Sequence, residues 1–129
     1  MGQVKIYGVR EHLLPIRNKL SDVLHGCFVK AFKYPQDKRI HRFFYLDQED
    51  FIYSRERSNR YTIVEISLFE GRTAEAKKNF YQLIFDQFED ELGISANDVE
   101  ITLTETPLHN WCIRGKAGDE QTFNYNVSV

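Results

Sequence analysis

The sequence predicts an α/β fold made of two tandem strand–helix–strand units. Three observations predict it. Two stripes of apolar residues recur at helical spacing, each stripe lies between two short β-rich segments, and the first unit overlays the second at a constant offset when Val4 is placed on Val64. The 129 residues are enough for one domain with a real core and too few for two.

The elements follow in order. Gln3 to Val9 alternates apolar with polar residues and predicts a strand. Pro15 suits the first position of a helix, where its missing N–H costs nothing. Ile16, Leu20, Val23, Leu24, Cys27, Phe28, Ala31 and Phe32 then form one apolar face, and Tyr34-Pro35 stops the helix. Arg39 to Leu46 predicts a second strand rich in aromatics. Asp47 to Arg60 mixes charges of both signs, which predicts a solvated connection with a short turn near Phe51.

The same order repeats from Tyr61 to Phe69, a strand of strong β-propensity. Thr73 is a good N-cap, and Ala76, Phe80, Leu83, Ile84, Phe88 and Leu92 form the second helical stripe. Gly93 stands where a left-handed cap is wanted. Asp98 or Val99 to Thr104 is the last strand of the unit, and Pro107 ends it. The first repeat thus covers residues 3–46 and the second 61–104, with a tail over 105–129 ending in a short strand.

At that overlay Ile6 meets Ile66, Leu20 meets Phe80, Leu24 meets Ile84, Phe28 meets Phe88 and Phe32 meets Leu92. The register slips in the last strand of each unit, where Ile40 would meet Glu100. Right-handed crossovers make the strands within each unit parallel. Two helices on one face of four strands leave the other face uncovered. Phe43, Phe44 and Tyr45 cannot all point one way, so aromatics are expected on that open face and an oligomer follows.

Composition excludes several classes. The formal charge of −2 and pI near 6.1 lack the basic bias of a nucleic-acid binder. No apolar run is long enough to span a membrane, and the N-terminus lacks a signal peptide's apolar core, so the expected location is cytoplasmic. Two cysteines and four scattered histidines show no zinc spacing. Neither a metal nor a cofactor is implied.

The segment from Gly71 to Gly115 carries a recognisable series: Gly71-Arg72-Thr73 before the helix, Gly93-Ile94-Ser95-Ala96-Asn97-Asp98-Val99 after it, Glu105 at the strand end, and Asn110-Trp111. It resembles the second half of fused proteins of the tautomerase superfamily, near malonate semialdehyde decarboxylase and 4-oxalocrotonate tautomerase. The first half resembles them in its helix and its Tyr34-Pro35 turn. The resemblance implies the tautomerase fold, also called macrophage migration inhibitory factor-like, a homotrimer, and chemistry on small oxo-acids by tautomerisation, dehalogenation or decarboxylation. It further implies an N-terminal proline, exposed by loss of the initiator Met, as general base or acid, with arginines holding the substrate carboxylate.

At the decisive position this chain has Gly2. An α-amine has a reference pKa of about 7.7–8.0, so a neutral fraction exists at neutral pH and can act as a base or form an imine. Where the resemblance implies an aspartate for decarboxylation, this chain has Lys38. Where it implies a further arginine, this chain has Glu70.

The candidate residues are therefore these. Arg72 sits at a strand-to-helix turn beside helix amides and can grip a carboxylate with two parallel bonds; alternatively it pairs with Glu70 or Glu75. The Gly2 amine is a candidate proton carrier, and His41 a polarising group or proton donor. Trp111 can wall a pocket or pack an interface. His12 occupies the place of Arg72 by the repeat overlay, and Lys38 is a basic turn residue. The expected function is a tautomerase-like isomerase on a small 2-oxo acid. Two alternatives stand beside it: a catalytically silent trimer that binds a ligand or a partner, and a ferredoxin-like domain whose RIHRFFYL strand stacks on RNA.

Overall fold

The computed structural model describes residues 2–121. The expected terminal strand, in residues 122–129, lies outside the described residues. The strands are β1 (Gln3–Val9), β2 (His41–Leu46), β3 (Thr62–Phe69) and β4 (Val99–Thr106), and the helices are α1 (Arg10–Phe32) and α2 (Ala74–Leu92). The sheet order is β2-β1-β3-β4. Pairing is parallel within each unit and antiparallel where β1 meets β3. Both helices pack on one face, where Phe28 and Phe32 each lie 4.7 Å from the Phe80 ring. Burial of one such ring contributes about 1.5–3 kcal/mol, so these aromatics are a main tie between the two units.

A pseudo-two-fold axis relates the units. Lys5 pairs with Glu65 across the antiparallel seam, and the repeat offset carries one onto the other. The expected slip of register in the last strands does not occur. Val4 pairs with His41 and Val64 with Ile101, so the same offset relates β2 to β4. Ile40 and Glu100 do correspond. Both are solvent-exposed positions, Ile40 lying just before β2, so neither is required to be apolar.

Helix α1 also starts earlier than Pro15. It follows β1 directly, and Pro15 lies inside it. The lost bond is to the Glu11 carbonyl in the outermost turn. Leu13, fully buried in the core, anchors that turn instead. Helix α2 behaves as expected: Thr73 Oγ1 accepts from the Ala76 N–H at 3.1 Å, and Gly93 closes the helix at φ 67°.

The open sheet face is less aromatic than expected. Phe44 points outward and stacks on Tyr7 at 4.8 Å, whereas Phe43 and Tyr45 pack toward the core. Gln3, Lys5, Arg42, Glu65, Ser67, Thr102 and Thr104 make the rest of that face polar. Nor is the charged connection merely solvated. Asp98 accepts from the Ser58 N–H at 2.8 Å and from its hydroxyl, Arg60 donates to the Gly93 carbonyl at 2.7 Å, and Arg57 lies over the Tyr61 ring. After β4 the chain forms a small hairpin, β5 (Cys112–Ile113) with β6 (Lys116–Ala117), turning through Arg114 and Gly115 at positive φ.

Candidate functional site

The topology brings four chain segments to one end of the sheet. Because β1 and β3 are antiparallel, the start of β1 lies beside the end of β3, and parallel pairing adds the start of β2 and the end of β4. Gly2, Tyr34, Lys38, His41, Arg72 and Trp111 all stand at this end.

A small pocket opens there, lined by Gly2, Tyr34, His25, Lys38, Arg39 and His41 among others. The backbone nitrogen of buried Gly2 donates to the Tyr34 hydroxyl at 2.6 Å. Tyr34 reaches it because Lys33 takes the left-handed conformation at φ 52° and turns the chain off α1. Burial raises the Tyr34 phenol pKa, opposed by the Gly2 bond and by the charge of Arg72. A Cβ at Gly2 would stand 2.7 Å from Leu68 Cδ2 and 3.4 Å from the Tyr34 oxygen.

His41 opens β2, with its Nδ1 2.8 Å from the Ser21 hydroxyl. Arg39 donates to that same hydroxyl at 3.2 Å and to Asp22 at 2.7 Å. Ser21 therefore accepts from Arg39 and has its own hydrogen for His41. Burial, then the charge of Arg39 and the neighbouring His25, pull the His41 pKa down to about 4, against an opposing pull from Asp22. The imidazole is neutral at neutral pH. It can polarise a ligand through an N–H but does not carry a proton as imidazolium.

Arg72 is buried, not a surface arginine. Its Nη1 donates to the Phe69 carbonyl at 3.0 Å, and its guanidinium carbon lies 5.4 Å over the Phe32 ring. Trp111 meets Phe69 edge-on at 4.9 Å and donates from Nε1 to Thr106 Oγ1 at 2.7 Å. Phe69 thus joins Arg72 to Trp111.

His12 is not part of this cluster. It stands at the opposite end of the sheet, with Nε2 3.5 Å from Thr62 Oγ1. Burial and the charge of Arg60 lower its pKa, opposed by Asp98. The overlay on Arg72 is sound, but a two-fold axis places equivalent residues at opposite ends, so the two cannot meet within one chain. Three pocket residues have no advance role in the sequence: Tyr34 read as a helix stop, Arg39 as the start of the second strand and His25 as one of four scattered histidines. The available signal for His25 was its helical spacing, four residues after Ser21 and three before Phe28.

The frame is thus a duplicated β-α-β unit with a pocket, basic at its rim, where its first strand begins. The family model described as tautomerase enzyme (Tautomerase_2) matches residues 38–114, and the chain belongs to that family. Two curated relatives are from Bacillus subtilis (strain 168). The probable tautomerase YrdN is 29% identical over 98 residues, covering 72% of this chain and 75% of its own length. The probable tautomerase YusQ is 26% identical over 98 residues, covering 72% and 77%. Among solved structures, malonate semialdehyde decarboxylase superposes with TM-score 0.78 at 23% identity, covering 85% of this chain and 88% of that one. A wild-type fused 4-OT, an asymmetric trimer, superposes with TM-score 0.80 at 16% identity, covering 91% and 96%. These structures share the tautomerase fold. Lys38, His41, Arg72 and Trp111 fall inside the family match, whereas Gly2, His25 and Tyr34 precede it.

Proposed function

We propose that this chain, as a single domain, moves a proton between the keto and enol forms of a small 2-oxo acid. The observation that carries the reading is the pocket itself, where the Gly2 nitrogen meets Tyr34 beside Lys38, Arg39 and neutral His41. Lys38 and Arg39 supply positive charge for the substrate carboxylate from the pocket rim, and Arg72 adds its charge from beneath. With Met1 absent, the Gly2 nitrogen is an α-amine. As an ammonium it gives a proton to C3 of the enol while the enol hydroxyl gives its proton to water, leaving the ketone and a neutral amine that solvent protonates again. His41 donates to a ligand oxygen. Trp111 walls the same end through Phe69.

The assembly in this reading is a homotrimer of soluble chains. The trimeric fused 4-OT supports it, as does a sheet face that no described helix covers. No described helix is long and apolar enough to cross a membrane.

A second reading is a trimer that keeps the pocket without turnover. Gly2 favours it, since a primary amine lacks the ring that fixes a proline's direction. The test is ketonisation of phenylenolpyruvate, followed spectroscopically, for wild type and Arg72→Ala. A rate above buffer that falls at least about ten-fold in the variant, a loss of about 1.4 kcal/mol, supports the enzyme. No rate above buffer in wild type, with phenylpyruvate still bound, supports the silent trimer.

A further inference from the structure

We infer that His25 is a ligand-contacting residue of the Gly2 pocket, its Nδ1 accepting a hydrogen bond from a hydroxyl at C2 of the bound acid. The inference rests on the carboxylate-site reading above and adds to it the group that recognises the enol oxygen. His25 is 6% exposed and sits in the middle of α1. Its Nε2 lies 2.9 Å from the Gln36 carbonyl. A carbonyl only accepts, so Nε2 carries a hydrogen, which leaves Nδ1 as the ring's acceptor nitrogen. Among the described residues that Nδ1 has no hydrogen-bond partner, although it is fully buried.

Polar groups stand beside the ring along with the apolar Val4, Phe28 and Ile40. It meets Tyr34 and His41 edge-on, both at 6.3 Å between centroids, and all three rings line the pocket that holds Gly2. A buried acceptor left unmatched is costly, and native structures mostly give such atoms a partner. The rest of the pocket rim offers donors: the Lys38 ammonium and the Arg39 guanidinium. Those donors suit a carboxylate. Nδ1 suits the opposite polarity, a hydroxyl. An acid with a hydroxyl on the adjacent carbon presents both, as the enol of a 2-oxo acid does and the ketone does not.

Phenyllactate and 3-phenylpropanoate share ring and carboxylate and differ in that hydroxyl. With the full chain, wild type should bind phenyllactate more tightly by calorimetry. His25→Gln keeps an amide that can donate to the Gln36 carbonyl and removes the Nδ1 acceptor. It should reduce the hydroxyl preference by about threefold to tenfold and leave 3-phenylpropanoate within about twofold. Equal loss on both ligands, or no change on either, overturns the assignment and leaves the carboxylate site standing. Failure of wild type to bind either acid overturns both. If the variant does not fold, nitrogen NMR of the wild-type ring decides. The His25 Nδ1 resonance must move with phenyllactate and not with 3-phenylpropanoate; the same response to both means an ordered water alone fills the site and overturns the inference.

Discussion

The Gly2 nitrogen and the Tyr34 hydroxyl meet across 2.6 Å, tying the start of β1 to the turn after α1. Both groups are buried, so removing the phenol strands the Gly2 N–H. Tyr34→Phe should cost about 1–3 kcal/mol, as expected for a buried donor left without its acceptor. Urea unfolding of the two proteins checks it. An unchanged midpoint would mean that solvent reaches the Gly2 nitrogen.

His41 sets a pH dependence. Its folded pKa of about 4 lies below the ordinary histidine value, so the unfolded chain binds more protons between about 6.5 and 4. The stability this neutral ring contributes is present above about pH 6.5 and is lost as pH falls toward 4. After allowance for partial solvent access, the loss is on the order of 2 kcal/mol. His12, also lowered, acts in the same direction. His41→Asn should flatten the slope in that window, measured by thermal melts from pH 4 to 7.

The two cysteines should separate cleanly. Cys27 is buried in α1, and burial pushes its thiol up to about 11, whereas Cys112 is exposed in the terminal hairpin. Thiolate is the reactive form. Iodoacetamide should therefore label Cys112 in the native protein and Cys27 only on unfolding, which peptide mass spectrometry reads directly.

Helical spacing carried most of the fold. The stripes around Phe28 and Phe80 dictated two amphipathic helices, and Thr73 and Gly93 marked the ends of the second, because those signals are local. What was illegible depended on contacts between distant segments. Pro15 read as a helix start because sequence does not show Leu13 locked in the core. The connection over residues 47–60 read as solvated because Asp98, which holds Ser58, lies across the next unit.

Part of the candidate cluster was legible. Arg72 and Lys38 were singled out through a local motif and its positions, and both stand at the same end of the sheet as Gly2. His12 was placed by the repeat, but no sequence overlay says that a two-fold axis sends equivalent residues to opposite ends. His25 and Tyr34 carried no such signal, because what brings them to the pocket is the three-dimensional meeting of α1, its following turn and the first residue before β1.

Gly2 packs too closely for a side chain, and this gives the last prediction. A Cβ there would approach Leu68 Cδ2 to 2.7 Å, and Leu68 is itself fully buried. Overpacking of this kind typically costs about 1–3 kcal/mol. Gly2→Ala should be destabilised by that amount. Because the clash falls on the end of one side chain, Leu68→Ala should make room for the added methyl, so the double variant should be more stable than the two single losses sum to. Residues in contact show coupling of about 0.5–3 kcal/mol in such a cycle. Proline carries the same Cβ, so Gly2→Pro demands the same space and should lose stability unless Leu68 is shortened with it. Chemical denaturation of wild type, both single variants and the double variant measures the coupling; additive losses would place the Gly2 methyl somewhere other than against Leu68.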